Sequence, residues 1–349
     1  MIEKDYLIVG QGISGTMLSY ALWKKGCSVL VVDQPSVATA SKIASGLINP
    51  ITGRRLVKTW LIDTIWPFVD ECYRELEKLL ESSFYHPTSV FRLLKGTGEK
   101  NAFENKKERV DFMHYLSMPK DVSILKKLAN TSGSLPINIT AMFIDTLTLL
   151  DAYAKFLQKN ESLVADQIDY AALLIGKDGI QWKNYTFKKV IFCEGYKMLN
   201  NPFFNHLPLT PAKGERLIIR CKDLDFKDIV KHGLFLIPLG KECFWVGTTF
   251  EWDILDENPT PEKRKELIDR LEAAISFPFE VVDHKAGIRP TVEDRRPLIG
   301  LHPKYKNIGL FNGMGTKGVS LAPYLANQFV AFLEDASPIN EAVRLERYL

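Results

Sequence analysis

Nothing in this sequence frames a disulfide scaffold. Its five cysteines (Cys27, Cys72, Cys193, Cys221 and Cys243) are scattered, odd in number and free of any C-x-x-C pair. That is the usage of reduced core thiols in a reducing compartment. The six histidines are equally dispersed and no H-E-x-x-H occurs, so no metal site is expected. Long apolar runs are missing too. Val29-Leu30-Val31-Val32 is typical, far short of the roughly 18 to 20 residues that span a bilayer. The opening Met1-Ile2-Glu3-Lys4-Asp5 has neither the basic start nor the apolar stretch of a secretory signal, so a cytoplasmic protein is expected. Charge of one sign is scarce: 45 Lys+Arg against 42 Asp+Glu leave a net charge of +3. So small a balance gives no overall field favouring nucleic acid or an anionic membrane. Internal repeats and low-complexity tracts are absent as well.

What is present is an ordinary globular composition, 46% hydrophobic and 25% charged. At 349 residues the chain exceeds what one hydrophobic core usually fills, so two lobes are expected. The first fifty residues say most. Tyr6-Leu7-Ile8-Val9 reads as a strand covered on both faces. Residues 14–25 then read as a helix with Met17, Leu18, Ala21 and Leu22 on one face, Lys24 and Lys25 in its last turn and Gly26 just beyond. A second buried strand spans 28–32 and ends at Asp33. The two strands are expected to be parallel with a right-handed crossover.

Between strand and helix stands Gly10-Gln11-Gly12-Ile13-Ser14-Gly15, a G-x-G-x-x-G. The first glycine allows a tight turn, the second a close approach to a pyrophosphate, the third close helix–strand packing. Amides at the helix start and the helix dipole hold the phosphate charge. Asp33 adds a carboxylate that accepts hydrogen bonds from ribose hydroxyls. An acid there disfavours a 2′-phosphate, so FAD or NAD(H) is preferred over NADP(H).

Further along, 59–80 reads as a helix interrupted at Pro67, and 84–140 is mixed, with short strand-like pieces. A helix is expected over 146–158, strands near 173–182 and 190–193, a β-rich stretch over 217–250, and another helix over 261–275. A strand near 308–311, a glycine loop and a helix over 319–333 close the chain.

The C-terminal part decides between the two cofactors. Ala286-Gly287-Ile288-Arg289-Pro290 precedes Asp294 and Pro297-Leu298-Ile299-Gly300. Asn312-Gly313-Met314-Gly315-Thr316-Lys317-Gly318-Val319 and Leu321-Ala322-Pro323 follow. This order resembles the flavoprotein family of D-amino acid oxidase, glycine oxidase and sarcosine oxidase. Ala44-Ser45-Gly46-Leu47, Glu194-Gly195, Pro211-Ala212-Lys213-Gly214-Glu215, residues 234–238 and Val246-Gly247-Thr248-Thr249 also look like segments of that family.

The resemblance implies an α/β fold (α+β overall). A Rossmann-like FAD-binding domain would be built from 1–83, 141–202 and 286–349, and a β-rich, antiparallel-sheet substrate domain from 84–140 and 203–285. It implies FAD contacts at Gly10, Gly12, Ile13, Ser14, Gly15, Asp33, Gln34, Ser41, Ala44, Ser45, Gly46, Ile168 and Gly195. The last glycine loop adds Gly313, Met314, Gly315, Thr316, Lys317 and Gly318. A helix N-terminus there suits the negative charge that develops on a reduced flavin. With no cysteine beyond Cys243, FAD is expected to be non-covalent.

The activity implied is oxidation of a C–N bond of a small amine or amino acid, by hydride transfer to flavin N5. Arg289 occupies the slot whose guanidinium holds the substrate carboxylate; it alternatively pairs with Asp294 or Glu293. Phe235 and Phe250 fall where side chains surround the amine, although the first slot often holds a tyrosine whose hydroxyl phenylalanine lacks. Trp245 and Trp252 read as packing residues, and Lys213 as an aid to oxygen reactivity. Arg54, Arg55 and Lys58 form a cationic cluster after the presumed flavin turn. Their phosphate-binding chemistry supports an alternative, a tRNA-modification flavoprotein removing a carboxymethyl group from a uridine amine. A further alternative is a FAD-binding protein without turnover.

Overall fold

The strand Ile2–Val9 lies in the parallel centre of a mixed sheet of the computed structural model, which describes residues 1–34, 39–177 and 179–348. Val9 faces Val32 of the strand Val29–Asp33 on one flank and Phe192 of Tyr185–Phe192 on the other, both in parallel. Leu163–Ala165 and Ile308–Asn312 extend the two flanks, also in parallel. Strand alternation sends Tyr6 and Ile8 into one core and Leu7 and Val9 into another. The first core is packed by residues of the helices Ile13–Lys24, Ile62–Leu80, Thr146–Lys159 and Gly318–Asp335. None of the described helices is long and apolar enough to cross a membrane.

The helix Ile62–Leu80 runs unbroken through Pro67, against the expected interruption. A proline in the second turn forgoes one backbone bond, and the burial of Ile65, Val69, Cys72, Tyr73 and Leu76 outweighs it.

The second sheet is larger and almost wholly antiparallel. Its order is Glu280–Arg289, Ala212–Arg220, Cys243–Gly247, Leu234–Gly240, Ile229–His232, Tyr85–Leu94, Leu135–Ile144 and Leu47–Ile48. Only Ile229–His232 against Tyr85–Leu94 is parallel among the described pairs. The strand Glu280–Arg289 runs through the boundary expected at residue 286. Where short pieces were expected, Tyr85–Leu94 and Leu135–Ile144 pair along their whole length, Tyr85 facing Ile144 and Leu94 facing Leu135. Pro87 and Pro136 had masked them. Both lie outside the stretch that pairs with a neighbour on the strand's other side, the kind of position a sheet tolerates for proline. One face of this sheet packs Leu217, Ile219, Leu234, Leu236, Phe244 and Val246 against Leu267 and Leu271 of the helix Pro261–Glu272. The other face carries Gly214, Arg216, Phe235 and Gly247 to a cavity.

Candidate active site

A cavity of about 840 Å³ opens between the glycine turns of the first sheet and the free face of the second. Gly10, Gly12, Ile13 and Ser14 of the first turn line it. Gly10 takes φ +101, which a side chain rarely adopts. Gly15 lies behind the wall. A Cβ there would stand 1.8 Å from the Gly10 carbonyl oxygen, so its role is close packing of helix on strand. Asp33 and Gln34 reach the wall from the end of the second strand. The Asp33 carboxylate accepts a bond from the Gln11 amide at 2.9 Å, and burial holds its carboxyl above the usual carboxylate range.

Ser41, Ala44, Ser45 and Gly46 form the next part of the wall. Ser41 Oγ accepts a bond from the Ile13 amide at 3.0 Å, tying that segment to the helix start. Ile168 and Gly195 lie on the wall beside Glu194. Glu194 is held by Tyr170 (2.6 Å) and Asn201 (2.7 Å), and burial raises its carboxyl. Met314, Gly315, Thr316, Lys317 and Gly318 bring the start of the last helix to the same space. Lys317 has its ammonium pushed down by burial and by Arg296 and Arg295. Gly313 is not on the wall; it packs against Val292 and Leu298.

At the second sheet Arg289 projects over Gly214. Its Nη2 donates to Thr248 Oγ1 at 2.7 Å and to the Thr249 carbonyl at 3.3 Å, and its Nη1 to the Lys213 carbonyl at 3.3 Å. Phe250 lies under the guanidinium, 4.4 Å from Cζ to ring centroid. No carboxylate pairs with Arg289 among the described residues, and burial pushes its pKa down to about 10. Asp294 is taken by Arg347 instead, at 3.0 Å. Phe235 lies on the wall beneath Lys231, whose Nζ stands 4.2 Å from the ring centroid.

Lys213 does not face the cavity. Strand alternation turns it to the opposite side from Gly214 and Arg216, where its Nζ binds Asp256 at 2.7 Å. The idea that it assists oxygen therefore has no geometric basis. Trp245 is buried and on the wall, donating from Nε1 to the Ile43 carbonyl at 3.2 Å, whereas Trp252 is exposed and stacks on Phe250. Lys58 is engaged by Asp63 at 2.7 Å, which leaves Arg54 and Arg55 as the exposed members of their cluster. Sequence reasoning missed Arg216, Lys231 and Arg270, all on the wall. No local pattern marks them; only the pairing of distant strands does.

The sequence model of the FAD dependent oxidoreductase family matches residues 5–331. The chain belongs to that family. Its cofactor is FAD. The wall suits such a group. Asp33 and the helix start at Gly12 to Ser14 lie on one stretch of it, and the last helix begins on another. Two buried polar atoms of wall residues, Arg216 Nε and Asn312 Oδ1, have no partner in the protein.

The glycine oxidase of Geobacillus kaustophilus shares this fold, with a TM-score of 0.78 over 97% of this chain and 96% of the other, at 18% identity. Among curated relatives, the tRNA 5-methylaminomethyl-2-thiouridine biosynthesis bifunctional protein MnmC of Idiomarina loihiensis is 23% identical across 93% of this chain and 54% of its own length. The chain thus spans little more than half of that relative. The glycine oxidase of Pseudomonas putida is 32% identical across 38% of this chain and 37% of its own.

Proposed function

We propose that this chain oxidises the C–N bond of a small amine or amino acid that bears a carboxylate. The observation that carries the reading is Arg289, a half-buried guanidinium at the cavity with no acid to neutralise it among the described residues. Three of its five N–H groups serve Thr248, Thr249 and Lys213, which fix the plane of the fork. The Nε–H and one Nη1–H remain, on different edges of the fork, and either can donate a charge-assisted bond to an incoming carboxylate. FAD, when bound, supplies the two-electron acceptor for the hydride. The protein holds it without a covalent link. Cys193 is a wall residue, but burial keeps its thiol protonated, well above its ordinary range. The amine must be neutral to react, so the rate rises with pH through the pKa of the bound amine.

Anaerobic addition of N-substituted glycines and D-amino acids to the purified yellow protein tests this. Bleaching of the flavin band by a panel member is expected. A spectrum unmoved by the whole panel overturns the reading.

The MnmC relatives support a second reading, removal of a carboxymethyl group from a uridine amine in tRNA. Arg54 and Arg55 favour it: both are exposed, no acid pairs with them among the described residues, and Thr52 beside them lies on the cavity wall. Titration with tRNA at two salt concentrations separates the two readings, since phosphate contacts weaken steeply with salt. No binding at low salt removes this one.

A further inference from the structure

One row of the second sheet gathers cations. Lys285 faces Arg216, Arg216 faces Gly247, Gly247 faces Phe235, Phe235 faces Lys231, and Lys231 faces Arg92. Residues paired in this way lie on the same side of the sheet, and like charges so placed repel. Each of these cations but one has an acid among the described residues. Asp283 serves Arg216 at 2.8 Å and Lys285 at 3.7 Å, and Glu99 serves Arg92 at 2.9 Å. Lys231 has the Phe235 ring and, among the described residues, no acceptor. Arg270 beside it donates to the Thr248 and Gly233 carbonyls, and Glu266 on the same wall is already bound to Arg270 at 3.1 Å and Lys263 at 3.3 Å.

A half-buried ammonium without a partner is unfavourable unless an anion arrives to meet it. Burial, Arg270 and Arg92 push Lys231 down to about 8. Thr248, which holds Arg289 Nη2, follows the strand Cys243–Gly247, two strands from that of Lys231, a spacing of ~10 Å. Both side chains line the same cavity.

We propose that Lys231 is a second anion subsite, and that the substrate is an amine with two anionic groups. One carboxylate meets Arg289; a second carboxylate or a phosphate, at the far end of the molecule, meets Lys231 over Phe235. This rests on the reading that Arg289 binds the substrate carboxylate. It adds a size and charge to a substrate otherwise described only as a carboxylated amine.

The test is calorimetric titration of the FAD-loaded protein, which needs no turnover. The probes are straight-chain diacids from succinate to suberate, each compared with the monoacid of equal length. A diacid of the matching length is expected to bind at least ~10-fold tighter than its monoacid, the range of one charge-assisted contact. Lys231→Met abolishes that preference, read as the ratio of diacid to monoacid affinity, while Lys231→Arg restores it. Arg289→Met weakens both series. A distal phosphonate that tightens binding where a carboxylate does not supports the subsite and points to a phosphorylated amine. If monoacids bind through Arg289 and no second anion adds affinity, or Lys231→Met keeps the preference, the Lys231 assignment alone falls. If no acid of either series binds, the Arg289 reading falls and takes the subsite with it.

Discussion

Gly214 and Arg289 share one volume: a Cβ on Gly214 would lie 2.0 Å from Arg289 Nη2 and 2.3 Å from its Cζ. The guanidinium crosses to Thr248 only because the strand beneath it has no side chain at that point. The glycine is thus a positioning residue for the arginine, although the backbone keeps it in a regular strand.

Gly214→Ala is therefore expected to displace Arg289 and mimic its loss. Removing a buried charged donor costs about 2–4 kcal/mol, or ~30- to 1000-fold in affinity for a carboxylate ligand. The flavin spectrum and melting temperature are expected to move little, because the arginine swings into the cavity without opening a core void. Ligand titration alongside thermal melting checks this. Wild-type affinity in the alanine variant would show that Arg289 has a second route to its site.

How much of this was legible beforehand depends on sequence distance. The phosphate-type turn, its helix and Asp33 lie within one continuous stretch, and each part follows from local chemistry. Arg289 was found through a segment whose residues stay in order along the chain. The Lys231 subsite was not, because it exists only after residues 92, 216, 231 and 235 are brought into one row by strand register. Pro87 and Pro136 misled in the opposite direction, since their missing N–H groups matter only where a neighbouring strand would have used them. Lys213 was misplaced for want of a register: a shift of one position along a strand exchanges cavity for core.

Asp33→Ala removes the acceptor for the Gln11 amide and the carboxylate expected at the ribose. Losing such charge-assisted bonds costs about 1.5–3 kcal/mol, which corresponds to ~10- to 100-fold weaker FAD binding. Fluorescence titration of the apoprotein with FAD measures it. Affinity equal to wild type would place the ribose elsewhere.

Glu215 joins the helix Pro261–Glu272 to its sheet. Its buried carboxylate accepts bonds from the Thr260 amide and hydroxyl, each at 3.0 Å, and from His284 Nε2 at 2.7 Å. Lys213 Nζ stands 4.0 Å away. Glu215→Ala leaves the Thr260 amide and hydroxyl and His284 without their buried acceptor, while Lys213 keeps Asp256, so a loss of about 1–3 kcal/mol is expected. Denaturant unfolding reads it, and an unchanged midpoint would show that these donors find another acceptor.

Lys231 also predicts a pH dependence of stability with a definite sign. Its value falls from 10.5 to about 8 in the folded chain, through burial first and then the charges of Arg270 and Arg92. Between those values the unfolded chain binds the proton and the folded chain does not, so the Lys231 contribution to stability rises as pH climbs through that window. Below about 8 the ammonium is charged in both states and its burial penalty is felt in full. The Lys231→Met variant, loaded with FAD and free of substrate, is accordingly expected to melt above wild type at pH 7. That advantage shrinks steadily towards pH 10.5, where neither state carries the charge fully. A tight-binding diacid narrows the gap at pH 7 by giving the wild-type ammonium its partner. Parallel melting curves for the two proteins across the whole range would show instead that Lys231 is solvated and carries no stored electrostatic cost.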